Sequence, residues 1–284
     1  MTDIKIEMRQ IYKVFGVQES MALRMLQDGM DKAMVQTKTG CNVGLAGVDA
    51  VVPTGRITCI MGLSGSGKST LVRHLNRLID PSHGEILFDG KNILELDMAE
   101  LRELRRHRIS MVFQGFGLLP HLNVLNNVAF GLHVRGDEKK HAAAHARQWL
   151  EKVGLAEYGK RYPDELSGGM QQRVGLARAL AIDSDVLLMD EAFSALDPLI
   201  RTEMQDQLLT LQQGLQKTIV FITHDIDEAM RLGQHVVILR DGKVEQAGTP
   251  QAIRDTPAND YVARFFRTHE QRVEAAAEAP RGQA

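Results

Sequence analysis

Between residues 56 and 75 the chain sets three glycines, a lysine and several hydroxyls at a spacing that can enclose a phosphate group. An apolar, β-prone run (Ile57, Cys59, Ile60, Met61) passes into Gly62-Leu63-Ser64-Gly65-Ser66-Gly67-Lys68-Ser69, then Thr70 and a helical pattern through Leu71, Leu75 and Leu78. The run fits G-x-x-x-x-G-K-[ST] in the strand, loop and helix context that this pattern requires. Its glycines let the backbone turn its N–H groups inward, and with the N-terminus of the following helix they can surround an anionic phosphate chain. The Lys68 ammonium can then reach β- and γ-phosphates, and the Ser69 hydroxyl can ligate Mg²⁺.

Other groups suited to such chemistry stand at the ends of apolar runs. Val186-Leu-Leu-Met189 reads as a strand buried in a parallel sheet and ends in Asp190-Glu191. Asp190 can hold Mg²⁺ through water, and Glu191 can accept a proton from an attacking water. Ile109–Phe113 ends at Gln114, a candidate contact to Mg²⁺ or that water, since ligands of α/β sheets bind beyond the carboxyl ends of strands. Thr218–Ile222 ends at His224, which could hydrogen-bond a γ-phosphate. In Leu166-Ser-Gly-Gly169, Ser167 suits a helix N-cap, and Gly168 and Gly169 at that helix start could form a second anion site or simply a capped helix. Phe15, at the end of an early strand, could stack on a base or face the core.

The elements around these groups follow from periodicity. Residues 4–15 alternate as a half-buried strand. Residues 19–37 carry Ala22, Met25, Leu26, Met30 and Ala33 at helical spacing, interrupted at Gly29, as an insertion on the edge of the domain. A strand from Val43 to Val52, a strand Glu85–Phe88 with a hairpin signal at Asp89-Gly90, and a charged helix Met98–His107 follow. Residues 115–180 lack any strand signal and read as a helical subdomain inserted between core strands. Asp197 opens a helix over Leu199–Leu215, and two strands joined at Asp241-Gly242 precede the last helices. The predicted domain spans 1–266, with a disordered tail over 267–284 rich in Glu, Ala and Arg.

Composition excludes several classes. A net charge of −2 gives no basic footprint for nucleic acid. Cys41 and Cys59 form no metal or disulfide motif, which fits a reducing cytoplasm. No apolar run reaches the roughly 18 residues of a membrane span.

Taken in order, the P-loop, Gln114, Leu166-Ser-Gly-Gly-Met-Gln-Gln-Arg173, Asp190-Glu191, Ser194–Asp197 and His224 resemble the ATP-binding subunits of ABC transporters. The resemblance covers about residues 4–266 and implies an α/β fold, a P-loop NTPase (RecA-like) core with an antiparallel β subdomain and an inserted helical subdomain. It implies that Phe15 stacks on adenine and that residues 62–70 hold the phosphates. It also implies that Ser69, Gln114 and Asp190 serve Mg²⁺, and that Glu191, His224 and Gln114 serve catalysis. Ser167, Gly168, Gly169 and Asp197 would close on ATP held by a second copy, so a homodimer is implied, with integral-membrane permease subunits and, indirectly, a substrate-binding protein. The site of work would be the cytoplasmic face of the inner membrane, with the chain peripheral to it. Since a phenyl ring offers only its π-face, no hydrogen-bond reading of the base is expected.

Tyr12-Lys-Val-Phe-Gly16, Asn76-Arg-Leu-Ile79, the run Asp190–Gln205 and Pro257-Ala-Asn-Asp-Tyr261 are similar to the ATPase subunits of glycine betaine, proline betaine and choline importers. Many of those carry paired C-terminal CBS domains, for which the eighteen residues after Phe266 are too few. The alternative, a soluble ABC ATPase of DNA repair or translation, calls for coiled-coil or zinc insertions or a second cassette, and the sequence shows none of these. A regulator that binds nucleotide without hydrolysis is opposed by the intact Asp190-Glu191 and His224.

Overall fold

The computed structural model describes residues 3–115, 117–194 and 196–267. The chain begins with β1 (Ile4–Phe15), two short helices, α1 (Glu19–Gln27) and α2 (Lys32–Thr39), then β2 (Asn42–Pro53), β3 (Ile57–Met61), α3 (Lys68–Leu75), β4 (His83–Phe88) and β5 (Lys91–Asn92). After α4 (Met98–Glu103) come β6 (Ile109–Val112) and three helices, α5 (Val124–Arg135), α6 (Lys139–Lys152) and α7 (Gly168–Ala181). The chain continues through β7 (Val186–Asp190), α8 (Pro198–Leu215), β8 (Thr218–Thr223), α9 (Ile226–Leu232), β9 (His235–Arg240), β10 (Lys243–Gly248) and α10 (Pro250–Asp255). A last helix, α11, spans 260–267.

The strands form two sheets. One has the order β2-β1-β4-β5 and is antiparallel, and the other has the order β10-β9-β3-β8-β7-β6. In the second, β9, β3, β8, β7 and β6 run parallel and β10 closes the edge antiparallel. Its central strands are buried on both faces, which is why they read as unbroken apolar runs rather than alternating ones. In β8, Ile219 and Phe221 pack toward α5–α9, whereas Val220 and Ile222 pack toward α3, α4 and the antiparallel sheet. The expected α/β core, antiparallel sheet and helical block are therefore all present. Because β6 pairs with β7, β7 with β8, and β8 with β3, the residues just beyond their carboxyl ends share one edge.

Several local expectations shift. The amphipathic stretch after β1 is two helices, with Gly29 at φ +87° in the turn between them. It has a small core of its own in which Ala22, Leu26 and Val35 meet Val14, Cys41 and Val43. The P-loop helix stops at Leu75 and does not extend to Leu78. Arg77 turns to φ +53° and Leu78 lies half exposed beyond the helix end. Helix α4 likewise ends at Glu103 and passes through a wide π turn at Leu104–Arg108, and its charged face is not wholly solvated. Arg105 Nε donates to the Asn76 carbonyl at 2.8 Å, fastening the turn to the end of α3. Asp89 and Gly90, at φ +48° and +79°, make the expected hairpin between β4 and β5. Residues 268–284, most of the tail, lie outside the described residues.

Candidate nucleotide site

The loop between β3 and α3 is shaped by what its glycines touch. A Cβ on Gly62 would lie 2.2 Å from the Leu239 carbonyl oxygen of β9, and one on Gly67 would lie 2.6 Å from the Gly44 oxygen of β2. Gly65, at φ +78°, has open space where its Cβ would stand, so the loop is tight against the sheets and open toward solvent. Lys68, 5% exposed, donates from Nζ to the carbonyls of Gly62 at 2.9 Å and Leu63 at 3.1 Å, curling across the loop. Burial pushes the pKa of this ammonium below its ordinary value, against the upward pull of Glu191 and Asp190. A buried cation beside an open ring of backbone is a cradle that an anion completes.

The carboxylates meet that loop. Ser69 Oγ donates to Asp190 Oδ1 at 2.8 Å, and Arg73 Nη2 approaches Asp190 Oδ2 at 3.4 Å, with Asp190 only 2% exposed. Gln114 Nε2 donates to Glu191 Oε2 at 3.1 Å, a contact that follows from β6 lying beside β7. Glu191 itself sits at φ +47°, a left-handed backbone that costs about 1–3 kcal/mol for a residue of this type. No trio of His, Cys, Asp or Glu among the described residues forms a metal cluster. Mg²⁺ does not need one, since it binds through one or two carboxylates together with phosphate oxygens and water. Ser69 and Asp190 fit that pattern.

A cleft of about 650 Å³ joins these groups. It is lined by Ser64, Gly65, Lys68, Ser69, Gln114 and Glu191. Phe15, Asn42, Gly44 and Thr70 line it too, with the Phe15 ring and the Thr70 methyl both lying against Gly44. Phe15 is 39% exposed, with Lys13 Nζ 5.2 Å from its ring centroid, so the ring faces the cleft rather than the core. Lys32 and Gln36 of α2 line the same cleft, and the sequence reading missed both. Helical spacing alone could not have shown that α2 folds back along the cleft.

Of the remaining loop residues, Ser66 is buried, and Leu63 is largely exposed with its N–H directed to Tyr261 Oη at 3.4 Å. His224 lies instead in an adjoining cleft with Leu63, Asp225 and Tyr261 and does not line the Lys68 cleft. Ser167 caps α7, accepting from Met170 N, and Ser167 and Gly168 are exposed to solvent. Gly169 packs closely on α8, since a Cβ there would meet Ile200 Cγ2 at 2.8 Å and the Ile200 side chain would have to shift. Asp197 caps α8 by accepting from Ile200 N at 3.1 Å. None of these four lines the cleft of Lys68.

The sequence model of the ABC transporter family matches residues 45–194, which contain the P-loop, Gln114, Ser167–Gly169 and Asp190-Glu191. The chain belongs to the ABC transporter family. This ABC cassette is 54% identical over 264 residues to the glycine betaine/proline betaine transport system ATP-binding protein ProV of Escherichia coli strain K12, covering 93% of the chain and 66% of that protein. It is 54% identical over 262 residues to the glycine betaine/carnitine transport ATP-binding protein GbuA of Listeria monocytogenes, covering 92% and 66%. It is 50% identical over 260 residues to the trimethylamine N-oxide transport system ATP-binding protein TmoW of Ruegeria pomeroyi, covering 92% and 76%. The cassette thus spans just under two thirds of the length of the first two. Among solved structures, the dimeric ATP-binding cassette MJ0796, in a post-hydrolysis state bound to ADP and Pi, superposes with a TM-score of 0.73 at 30% identity, covering 86% of this chain and 98% of that one.

Proposed function

We propose that this cassette is the ATP-hydrolysing subunit of an importer that takes up a quaternary amine such as glycine betaine, proline betaine or choline. The observation that carries the ATPase reading is the meeting of Lys68, the Ser69–Asp190 pair and the Gln114–Glu191 pair in one cleft. On this reading Lys68 leaves its two loop carbonyls for the β- and γ-phosphates, while Phe15 stacks on adenine. Ser69, Asp190 and Gln114 would hold Mg²⁺, which when bound would offset the negative charge of the phosphoryl oxygens. Glu191 accepts the proton of a water whose oxygen attacks the γ-phosphorus, and the bond to the bridging oxygen breaks with its electron pair leaving on ADP. Gln114, already sharing the Glu191 carboxylate, orients that water.

Ser167, Gly168, Gly169 and Asp197 act on a second copy. They are absent from the cleft of their own chain and Ser167 and Gly168 are exposed, which suits contact across a dimer of the kind MJ0796 forms. His224 would face the γ-phosphate once the copies close. No helix of the described residues is long and apolar enough to cross a membrane. The cassette then works from the cytoplasmic face on permease subunits, and a groove of about 480 Å³ lined by Arg102, Arg106, Phe113, Phe130 and Val134 beside Gln114 is the seat for them.

The substrate class rests on the relatives, which are named for the transport of small methylated amines. Reconstituted with its permease and binding protein, the cassette should hydrolyse ATP faster with glycine betaine or choline present. Stimulation by an unrelated amino acid or sugar, with none by either amine, would overturn the substrate reading.

A further inference from the structure

We propose that the α1–α2 insertion is part of the nucleotide site, with Lys32 and Gln36 holding the nucleoside end of ATP beside the ring of Phe15. The inference rests on the ATP-binding reading of this cleft and adds to it a polar contact that the phenyl ring cannot supply. Lys32 and Gln36 are four residues apart on α2, hence on one face, and both line the cleft that Phe15 also lines, on a helix whose Val35 packs with Val14 and Val43, the neighbours of Phe15 and Gly44. The helix that presents them is anchored at three points. Asp31 caps its start through Met34 N at 2.8 Å, and Val35 is fully buried against Val14, Cys41 and Val43. Gly40, at φ +68°, turns the chain into β2, where Asn42 pairs with Phe15. An anchored helix loses little further freedom when a ligand arrives, so its contacts add to affinity.

The chemistry of the two side chains suits a nucleoside. The Lys32 ammonium, half buried, has three donors for ribose oxygens or a ring-nitrogen lone pair. The Gln36 amide has a donor and an acceptor together, the pairing that meets the amino and ring-nitrogen edge of adenine. The groups read as holding phosphate, Lys68 and Ser69, are on α3, a different element from Lys32 and Gln36, so the two sets of contacts can be separated by ligand.

The test uses the full chain with two ligands, MgATP by equilibrium titration and Mg-tripolyphosphate by competition. Replacing both residues, Lys32→Ala with Gln36→Ala, should weaken ATP binding by about tenfold, as expected for two hydrogen bonds of ordinary strength. Tripolyphosphate, which has no nucleoside, should bind the double variant within twofold of wild type. Lys38→Ala, on the same helix but not on the cleft, should change neither. Unchanged ATP affinity in the double variant, or an equal loss for both ligands, would overturn the inference. Lys68→Ala, run alongside, separates the two readings. If it binds ATP as wild type does, the ATPase reading falls. If Lys68 is needed while Lys32 and Gln36 are not, only the role of the insertion falls.

Discussion

Gly67→Ala and Gly65→Ala place the same methyl group on neighbouring turns of one loop, and the structure assigns them different costs. At Gly67 the backbone sits at φ +101°, and the new Cβ would lie 2.6 Å from the Gly44 oxygen and 2.9 Å from Leu45 Cδ2. Gly44 lies in β2 between Val43 and Leu45, both paired with β1, so its carbonyl cannot step aside cheaply. A left-handed alanine costs about 1–2 kcal/mol, and forcing a methyl into a filled site adds about 1–3 kcal/mol. The sum is a loss of roughly 2–5 kcal/mol, or about 4–20 °C in Tm for a chain of this size. At Gly65, φ is +78° and nothing stands within 4 Å, so only the backbone cost of about 1–2 kcal/mol applies. Its methyl, however, projects into the space a phosphate would fill. Urea unfolding and ATP titration of both variants check this: Gly67→Ala should be the less stable, and Gly65→Ala should lose nucleotide binding with the smaller loss of stability. Equal stabilities, or the reverse order, would refute the account of how the loop is braced by the sheets.

Two further outcomes follow from buried groups in and beside α3. Ser69→Ala leaves the Asp190 carboxylate, 2% exposed, with Arg73 at 3.4 Å and no hydroxyl donor. Urea unfolding without nucleotide should show a loss of about 1–3 kcal/mol, and the dependence of ATP affinity on Mg²⁺ should weaken in the same variant. His74 is fully buried, and desolvation with the nearby charge of Lys13 pushes its pKa down to about 4. Its folded pKa is below the unfolded value, so stability is intact above pH ~6.5 and falls as the unfolded chain takes up the proton, until His74 itself protonates near pH 4. The loss across that window amounts to at most about 3 kcal/mol; unfolding free energies from pH 7 to pH 4 for wild type and His74→Leu should diverge in slope there, and parallel curves would remove His74 as the cause.

How far the site could be read from sequence depended on whether its geometry was local. The P-loop was legible because Gly62, Gly65, Gly67, Lys68 and Ser69 sit within one turn of chain and their roles are set by spacing. The reason Gly62 and Gly67 must be glycine was not, because Leu239 and Gly44 lie far away in sequence and approach only when β9 and β2 take their places. Asp190, Glu191 and Gln114 were readable as strand-end residues, whereas the Gln114–Glu191 hydrogen bond depends on β6 pairing with β7. The apolar stripe of the insertion announced helices, yet nothing in its spacing singled out Lys32 and Gln36, since their place in the cleft depends on how α2 packs on the paired β1 and β2. Leu78 kept the helical spacing but fell outside α3 because Arg77 adopts a left-handed turn.

The central claim is that Glu191 is the base of a site completed by a second copy, and Glu191→Gln tests it by keeping the shape of the side chain while removing its basicity. Turnover should fall by about 10²–10⁴-fold, while ATP binding at Lys68 survives. With MgATP, size-exclusion chromatography should show this variant as a dimer, and adding Ser167→Arg should return it to a monomer that still binds ATP. A Glu191→Gln protein that hydrolyses ATP at the wild-type rate, or stays monomeric with MgATP bound, would contradict the account.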